Sequence, residues 1–198
     1  MKRNGVLILE CLDQADPGSE GRFLAHMFDL MGVAHQYVEV RTRHQMISLL
    51  QESPYKVIHV TTHGSIREER EKETEEFEGW WTTDKTITQN VLTRNLKDKL
   101  KNVVLVSTAC KSGDSAFSQA LIDTCGVYRY IAPEGSPKFH NAIFFAHLFY
   151  HKYFILNIKA DEIIEQYYDR YKNPHDFTIF KKKRITKASS RRAKGARG

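Results

Sequence analysis

The sequence predicts an α/β fold in which helices cover both faces of a mainly parallel sheet of five to six strands. Three observations carry that reading. Short apolar runs alternate with segments of helical period, the order that builds successive βαβ units. Glycine and proline punctuate the changes from one to the other, at Gly32, Pro54 and Gly64. The chain has 198 residues, 41% hydrophobic and 27% charged. That is room for one buried core and a globular balance, which argues against a disordered or membrane-embedded chain.

The first apolar run, residues 6–11, is interrupted by Glu10 and followed by no small-residue cleavage site, so it reads as a strand and not a signal peptide. After a loop bearing Asp13, Asp16, Pro17 and Gly18, a helix runs through Phe23, Met27, Leu30 and Met31 to a C-terminal stop at Gly32. A second strand over 36–40, a helix carrying Met46, Ile47, Leu49 and Leu50, and a third strand over 56–62 follow, the last ending at His63-Gly64. Residues 66–78 hold seven glutamates beside Arg67, Arg70 and Lys72, which reads as a solvated charged insertion closed by Trp80 and Trp81. The two tryptophans serve either as a cleft wall or as packing for that loop. A helix over 89–100 and a strand over 103–107 lead into Thr108-Ala109-Cys110, and a helix over 115–124 follows. The fifth strand, 128–132, ends at Pro133-Glu134-Gly135; helices over 140–154 and 160–171 and an edge strand over 177–180 complete the domain. His147, His151 and Lys152 interrupt the most hydrophobic stretch, so no run of 18 apolar residues exists to span a membrane.

The net charge of +6 suggests a nucleic-acid binder until its distribution is read. Residues 181–198 hold nine of the 30 basic residues and no acidic one, leaving the domain, 1–180, with 21 basic against 24 acidic residues, about −3. The tail is poor in large apolar residues and is expected to be disordered. Nucleic-acid contact through 181–198 is not favoured, because no recognition motif accompanies the charge. Three cysteines without C-x-x-C spacing argue against a disulfide framework or a cysteine zinc site and fit a reducing cytoplasm. Cys11 and Cys125 read as core, and His59 as packed within its strand. His147 and His151 have i, i+4 spacing, but Leu148 stands where H-E-x-x-H needs glutamate, so no metal is assigned.

In an open parallel sheet, reactive groups collect beyond the carboxyl ends of the strands. His63 ends one such strand and Cys110 another. If the strands are neighbours, about 4.8 Å apart, imidazole and thiol come near proton-transfer reach. A thiol is mostly protonated at neutral pH, so a nucleophilic cysteine needs a base beside it, and histidine titrates in the right range. Gly64 lets the backbone approach an acyl oxygen closely enough to donate its N–H, and the N–H of Cys110, at a strand-to-helix turn, is a second oxyanion donor. Gly113 permits a tight turn.

The segments VIHVTTHGS (57–65) and VVLVSTACKSGDS (103–115) resemble the histidine and cysteine motifs of the caspase-like cysteine peptidases, and their spacing of 47 residues agrees with the roughly 50 of that group. Thr108-Ala109-Cys110-Lys111-Ser112-Gly113 is most similar to the cysteine motif of CHAT-type domains, and the order of elements agrees over about residues 5–155. The resemblance implies a caspase-like three-layer α/β/α sandwich and a cysteine endopeptidase without cofactor. His63 would be its general base and acid, Cys110 its nucleophile, and the Gly64 and Cys110 amides its oxyanion hole. It implies a polypeptide substrate and activation by a protein partner or signal. Thr108 stands where caspases have Gln and metacaspases Asp, so neither cleavage-site preference transfers. Asp13, Asp16, Arg22, Thr108 and Glu134 are the substrate-pocket candidates, of both signs, and Lys111 after the nucleophile can help hold a thiolate. The alternative is a caspase-like binding or scaffold module whose dyad is silent.

Overall fold

A computed structural model describes residues 2–69, 74–171 and 177–182. Along the chain run β1 (Arg3–Glu10), α1 (Glu20–Met31), β2 (His35–Glu39), α2 (Arg43–Glu52) and β3 (Tyr55–Thr61). The hairpin β4 (Gly64–Glu69) and β5 (Thr74–Trp80) and the short β6 (Ile87–Thr88) come next, then α3 (Gln89–Leu96) and β7 (Val104–Ser107). α4 (Ser115–Gln119) is prolonged by a π-helical turn, Ala120–Thr124, and leads to β8 (Arg129–Pro133). α5 (Phe139–Tyr150) is prolonged likewise by His151–Ile155, and α6 (Ala160–Tyr171) and β9 (Phe177–Phe180) complete the order.

Six strands form the central sheet in the order β2-β1-β3-β7-β8-β9, with β9 antiparallel to β8 and every other pair parallel. This is the α/β class and the three-layer arrangement that the alternating pattern predicts. The inner strands β1, β3, β7 and β8 are buried on both faces, so successive side chains enter different cores. Val6, Ile8, Val57, Val104, Val106 and Ile131 pack with Leu24, Phe28, Phe145, Phe149 and Ile163 on the side of α1, α5 and α6. Leu7, Leu9, Ile58, Val60, Leu105 and Tyr130 pack with Met46, Leu50, Leu92, Leu96 and Leu121 on the side of α2, α3 and α4. Helix starts follow local chemistry: Ser19, Thr42, Thr88 and Asp114 each accept a hydrogen bond from a first-turn N–H. Gly32, at φ 65°, closes α1 in the left-handed conformation that glycine adopts without strain.

The charged insertion carries regular structure that its composition did not show: the described part of residues 66–78 forms the β4–β5 arms of a second, three-stranded antiparallel sheet, β4-β5-β6. Ile66 faces Phe77 across the hairpin, and the Phe77 ring meets Phe117 edge-on at 5.1 Å. Those apolar side chains dock the charged ribbon onto the α4 side of the domain. Residues 70–73 and most of the basic tail, 183–198, lie outside the described residues. Among the described residues no helix is long and apolar enough to cross a membrane.

Candidate functional site

β1 lies between β2 and β3 although β2 precedes β3 in sequence, so the chain reverses its direction of travel across the sheet beside β1. A crevice opens at such a switch point, beyond the carboxyl ends of the strands. The loop after β1, the end of β3 and the end of β7 all empty into it. Val60 pairs with Ser107, the Thr108 N–H donates to the Val60 carbonyl at 3.1 Å, and three residues beyond each member of that pair, past the strand ends at Thr61 and Ser107, stand His63 and Cys110. The two share a pocket of about 290 Å³ whose walls include Leu12, Asp16, Glu20, Thr61, Thr62, Thr108, Pro137 and Phe139.

Gly64 fixes how close the two segments come. A Cβ at that position would lie 2.0 Å from the Cys110 carbonyl oxygen, so any side chain would push the His63-Gly64 strand off the cysteine turn. Gly64 faces Trp80 in the hairpin, and the Trp81 N–H donates to the His63 carbonyl at 2.9 Å. That bond pattern makes Gly64 and Trp80 a non-hydrogen-bonded pair, which turns the Gly64 N–H outward from the free edge of β4. Among the described residues nothing accepts the Cys110 N–H.

His63 is half exposed and is held on two sides. Its Nε2 lies 2.9 Å and 3.1 Å from the two carboxylate oxygens of Asp16, and its ring meets Trp81 edge-on at 5.7 Å. Asp16 is itself fixed: its Oδ2 accepts the Asp13 N–H at 2.7 Å and its own N–H donates to the Asp13 carbonyl at 3.2 Å. Nε2 is thereby occupied, and no hydrogen bond to Nδ1, nor any between the Cys110 thiol and the imidazole, occurs among the described residues.

The cysteine turn rests on a buried polar chain. Trp80 Nε1–H donates to Ser107 Oγ at 3.1 Å, Ser107 and Ser112 hydroxyls are 2.9 Å apart, and Ser112 Oγ–H donates to the Ala109 carbonyl at 2.7 Å. Since Ser112 spends its one proton on Ala109, Ser107 is the donor between the two serines. Lys111 takes φ 56°, a left-handed conformation costly for a residue with a Cβ, held by its N–H donating to the Gly135 carbonyl at 2.8 Å. Lys111 lines a neighbouring groove of about 670 Å³ with Glu76, Phe77, Phe117 and Glu134, and is not among the residues around the Cys110 pocket.

Beneath the pocket sits a buried carboxylate. Glu20 Oε2 accepts from Thr61 Oγ1 at 2.8 Å and Thr108 Oγ1 at 2.9 Å, and Oε1 lies 3.1 Å from His59 Nε2. The other ring nitrogen of His59 is 2.9 Å from the buried Tyr150 hydroxyl. Tyr150 has that proton to give, so Nδ1 accepts it and Nε2–H donates to Glu20. Thr61 and Thr108 each stand two residues before His63 and Cys110, and one oxygen atom ties both.

Burial separates the three thiols. Cys11 is pushed up to about 11 and Cys125 to about 12, in each case chiefly by desolvation. Both therefore stay protonated near neutrality, while Cys110 is partly exposed in the pocket. No family model matches the chain, and no curated protein does.

The predicted pocket residues are dispersed. Asp16 and Thr108 line the Cys110 pocket, but the Thr108 hydroxyl is spent on Glu20 and the Asp16 carboxylate on His63. Asp13 lies beyond His63, in a shallow hollow with Ala15, Asp16 and Trp81. Glu134 lines the adjoining groove. Arg22 is exposed and reaches Glu39 at 3.5 Å, on the β2 side of α1. Sequence reasoning passed over Ser107, Ser112 and the inward role of Glu20. A carboxylate at the first turn of a helix looks like an ordinary solvated one, and no local pattern marks this one as buried.

Proposed function

We propose that this chain is a caspase-like cysteine endopeptidase. The reading is carried by one observation: His63 and Cys110, just past the carboxyl ends of the adjacent parallel strands β3 and β7, share one pocket, with Gly64 against the Cys110 carbonyl. A polypeptide carbonyl entering the pocket meets Sγ of Cys110, whose proton passes to Nδ1 of His63 as the C–S bond forms. The Gly64 and Cys110 N–H groups then hold the oxyanion. His63 returns the proton to the leaving nitrogen as the C–N bond breaks, leaving a thioester. Water attacks the thioester carbonyl, giving a proton to His63, and the C–S bond breaks to release the acid and regenerate the thiol with that proton.

The test compares new protein N-termini in cells expressing wild type and Cys110→Ala. Cleavage products present with the wild type and absent with the variant are expected. A Cys110→Ala protein that cleaves the same substrates at the wild-type rate refutes the mechanism.

A further inference from the structure

We propose that Asp16 is a positioning residue for His63: its carboxylate holds Nε2–H, so that neutral His63 presents Nδ1 to Cys110 as a base and the imidazolium is stabilised once it takes the thiol proton. The inference rests on the Cys110–His63 reading above. It moves Asp16 from the substrate pocket to the imidazole that takes the cysteine's proton.

Three observations carry it. Both carboxylate oxygens of Asp16 lie within 3.1 Å of Nε2. The carboxylate is mostly buried, with its side chain 12% exposed against 50% for His63, so water screens the pair only from one side. The Asp13–Asp16 turn fixes the carboxylate before substrate arrives, so the orientation costs no ordering at the moment of reaction.

The charged and titratable groups around the site can be named element by element. The loop after β1 presents Cys11, Asp13 and Asp16; α1 presents Glu20; and the turn after β7 presents Cys110, with Lys111 lining the next groove. The hairpin side offers Trp81, and the α5 side Pro137, Phe139 and Ala142, all uncharged. Glu20 is committed to His59 and the two threonines, so Asp16 is the carboxylate placed to act on the imidazole.

The experiment reads carbamidomethylation of Cys110 by iodoacetamide, in which Sγ displaces iodide and the thiol proton leaves to the base, followed by peptide mass from about pH 5 to 9. Asp16→Asn keeps a carbonyl to accept Nε2–H but loses the charge. It is expected to react roughly tenfold more slowly than wild type near neutral pH, because the imidazolium that forms as the thiol gives up its proton loses its counter-charge. Asp16→Glu, which keeps the charge, is expected to recover most of the loss. Glu52→Gln, an exposed carboxylate at the end of α2, is expected to follow the wild type. An Asp16→Asn profile superimposed on a wild type that itself outpaces a small free thiol overturns the role of Asp16 and leaves the dyad standing. A wild-type profile no different from a small free thiol overturns both. A second readout needs no variant: nitrogen-15 spectra of the neutral wild-type protein are expected to show His63 as the Nε2–H tautomer, and the Nδ1–H tautomer refutes the assignment.

Discussion

Removing the Glu20 carboxylate tests whether the end of the sheet is held as described. Glu20→Ala leaves three buried donors, His59 Nε2–H, Thr61 Oγ1–H and Thr108 Oγ1–H, without their acceptor. At about 1 kcal/mol or more for each buried donor left unmade, the expected loss is about 3 kcal/mol. Relief of the carboxylate's own desolvation keeps the figure from rising further. That is a large fraction of the roughly 5–15 kcal/mol that holds a domain together. Urea unfolding followed by tryptophan fluorescence reads it as a fall in midpoint at unchanged slope. Two further variants separate the cause from generic damage: adding Thr61→Val and Thr108→Val to Glu20→Ala removes two of the orphaned donors and is expected to regain stability over Glu20→Ala alone. A Glu20→Ala protein within about 0.5 kcal/mol of wild type, the range of an ordinary surface substitution, refutes the reasoning.

Two other perturbations follow from the same geometry. Gly64→Ala places a methyl 2.0 Å from the Cys110 carbonyl oxygen, so it is expected to lose Cys110 alkylation above the free-thiol rate and to unfold at lower urea, whereas Gly18→Ala, whose Cβ meets only the Phe139 ring at 3.9 Å, is expected to match wild type in both assays. The raised thiols give a pH dependence with a definite sign: unfolded Cys11 loses its proton near its ordinary value of 9.0 while folded Cys11 keeps it to about 11, so stability is intact below pH 9 and falls between there and 11. Cys11→Ala is expected to remove on the order of 2–3 kcal/mol of the wild-type difference between about pH 8 and 11, and equal differences in the two proteins would show the thiol to be irrelevant.

The layered architecture was legible in the sequence because it depends on features a sequence displays directly: apolar runs of strand length, helical periodicity and glycine or proline between them. Each helix and each strand of the central sheet falls where that pattern puts it, including the edge strand β9, except that α3 stops at Leu96 where the pattern runs on to 100. The His63 and Cys110 placement was legible for the same reason, since each follows a strand directly. The hairpin was not, because charge density at 66–78 hid a sparse apolar signal, Ile66 and Phe77, whose partners are distant in sequence. Nor were Glu10 and Glu20. Glu10 reads as an interruption of an apolar run, yet it is fully buried and accepts from Ser19 Oγ, the Gly21 N–H and the Tyr37 hydroxyl. Burial of a carboxylate is decided by what the fold brings to it, and no local pattern reports that.

These two carboxylates explain why a loop without regular structure can hold Asp16 in place. Glu10 ends β1 and bonds to Ser19 and Gly21 at the start of α1, so the ends of the intervening loop are joined to one another. Both glutamates also lie at the N-terminal end of α1, where the helix dipole favours negative charge. Within the loop, the reciprocal Asp13 and Asp16 bonds remove most of the remaining freedom. Glu20, the first residue of α1, then ties the same helix end to Thr61 and Thr108 on the two strands that carry His63 and Cys110. Asp16, His63 and Cys110 are thus three short projections from one cross-linked unit of β1, α1, β3 and β7. A substitution that loosens this unit should therefore change thiol reactivity before it unfolds the domain, because a displacement too small to expose the core is enough to separate a proton donor from its acceptor.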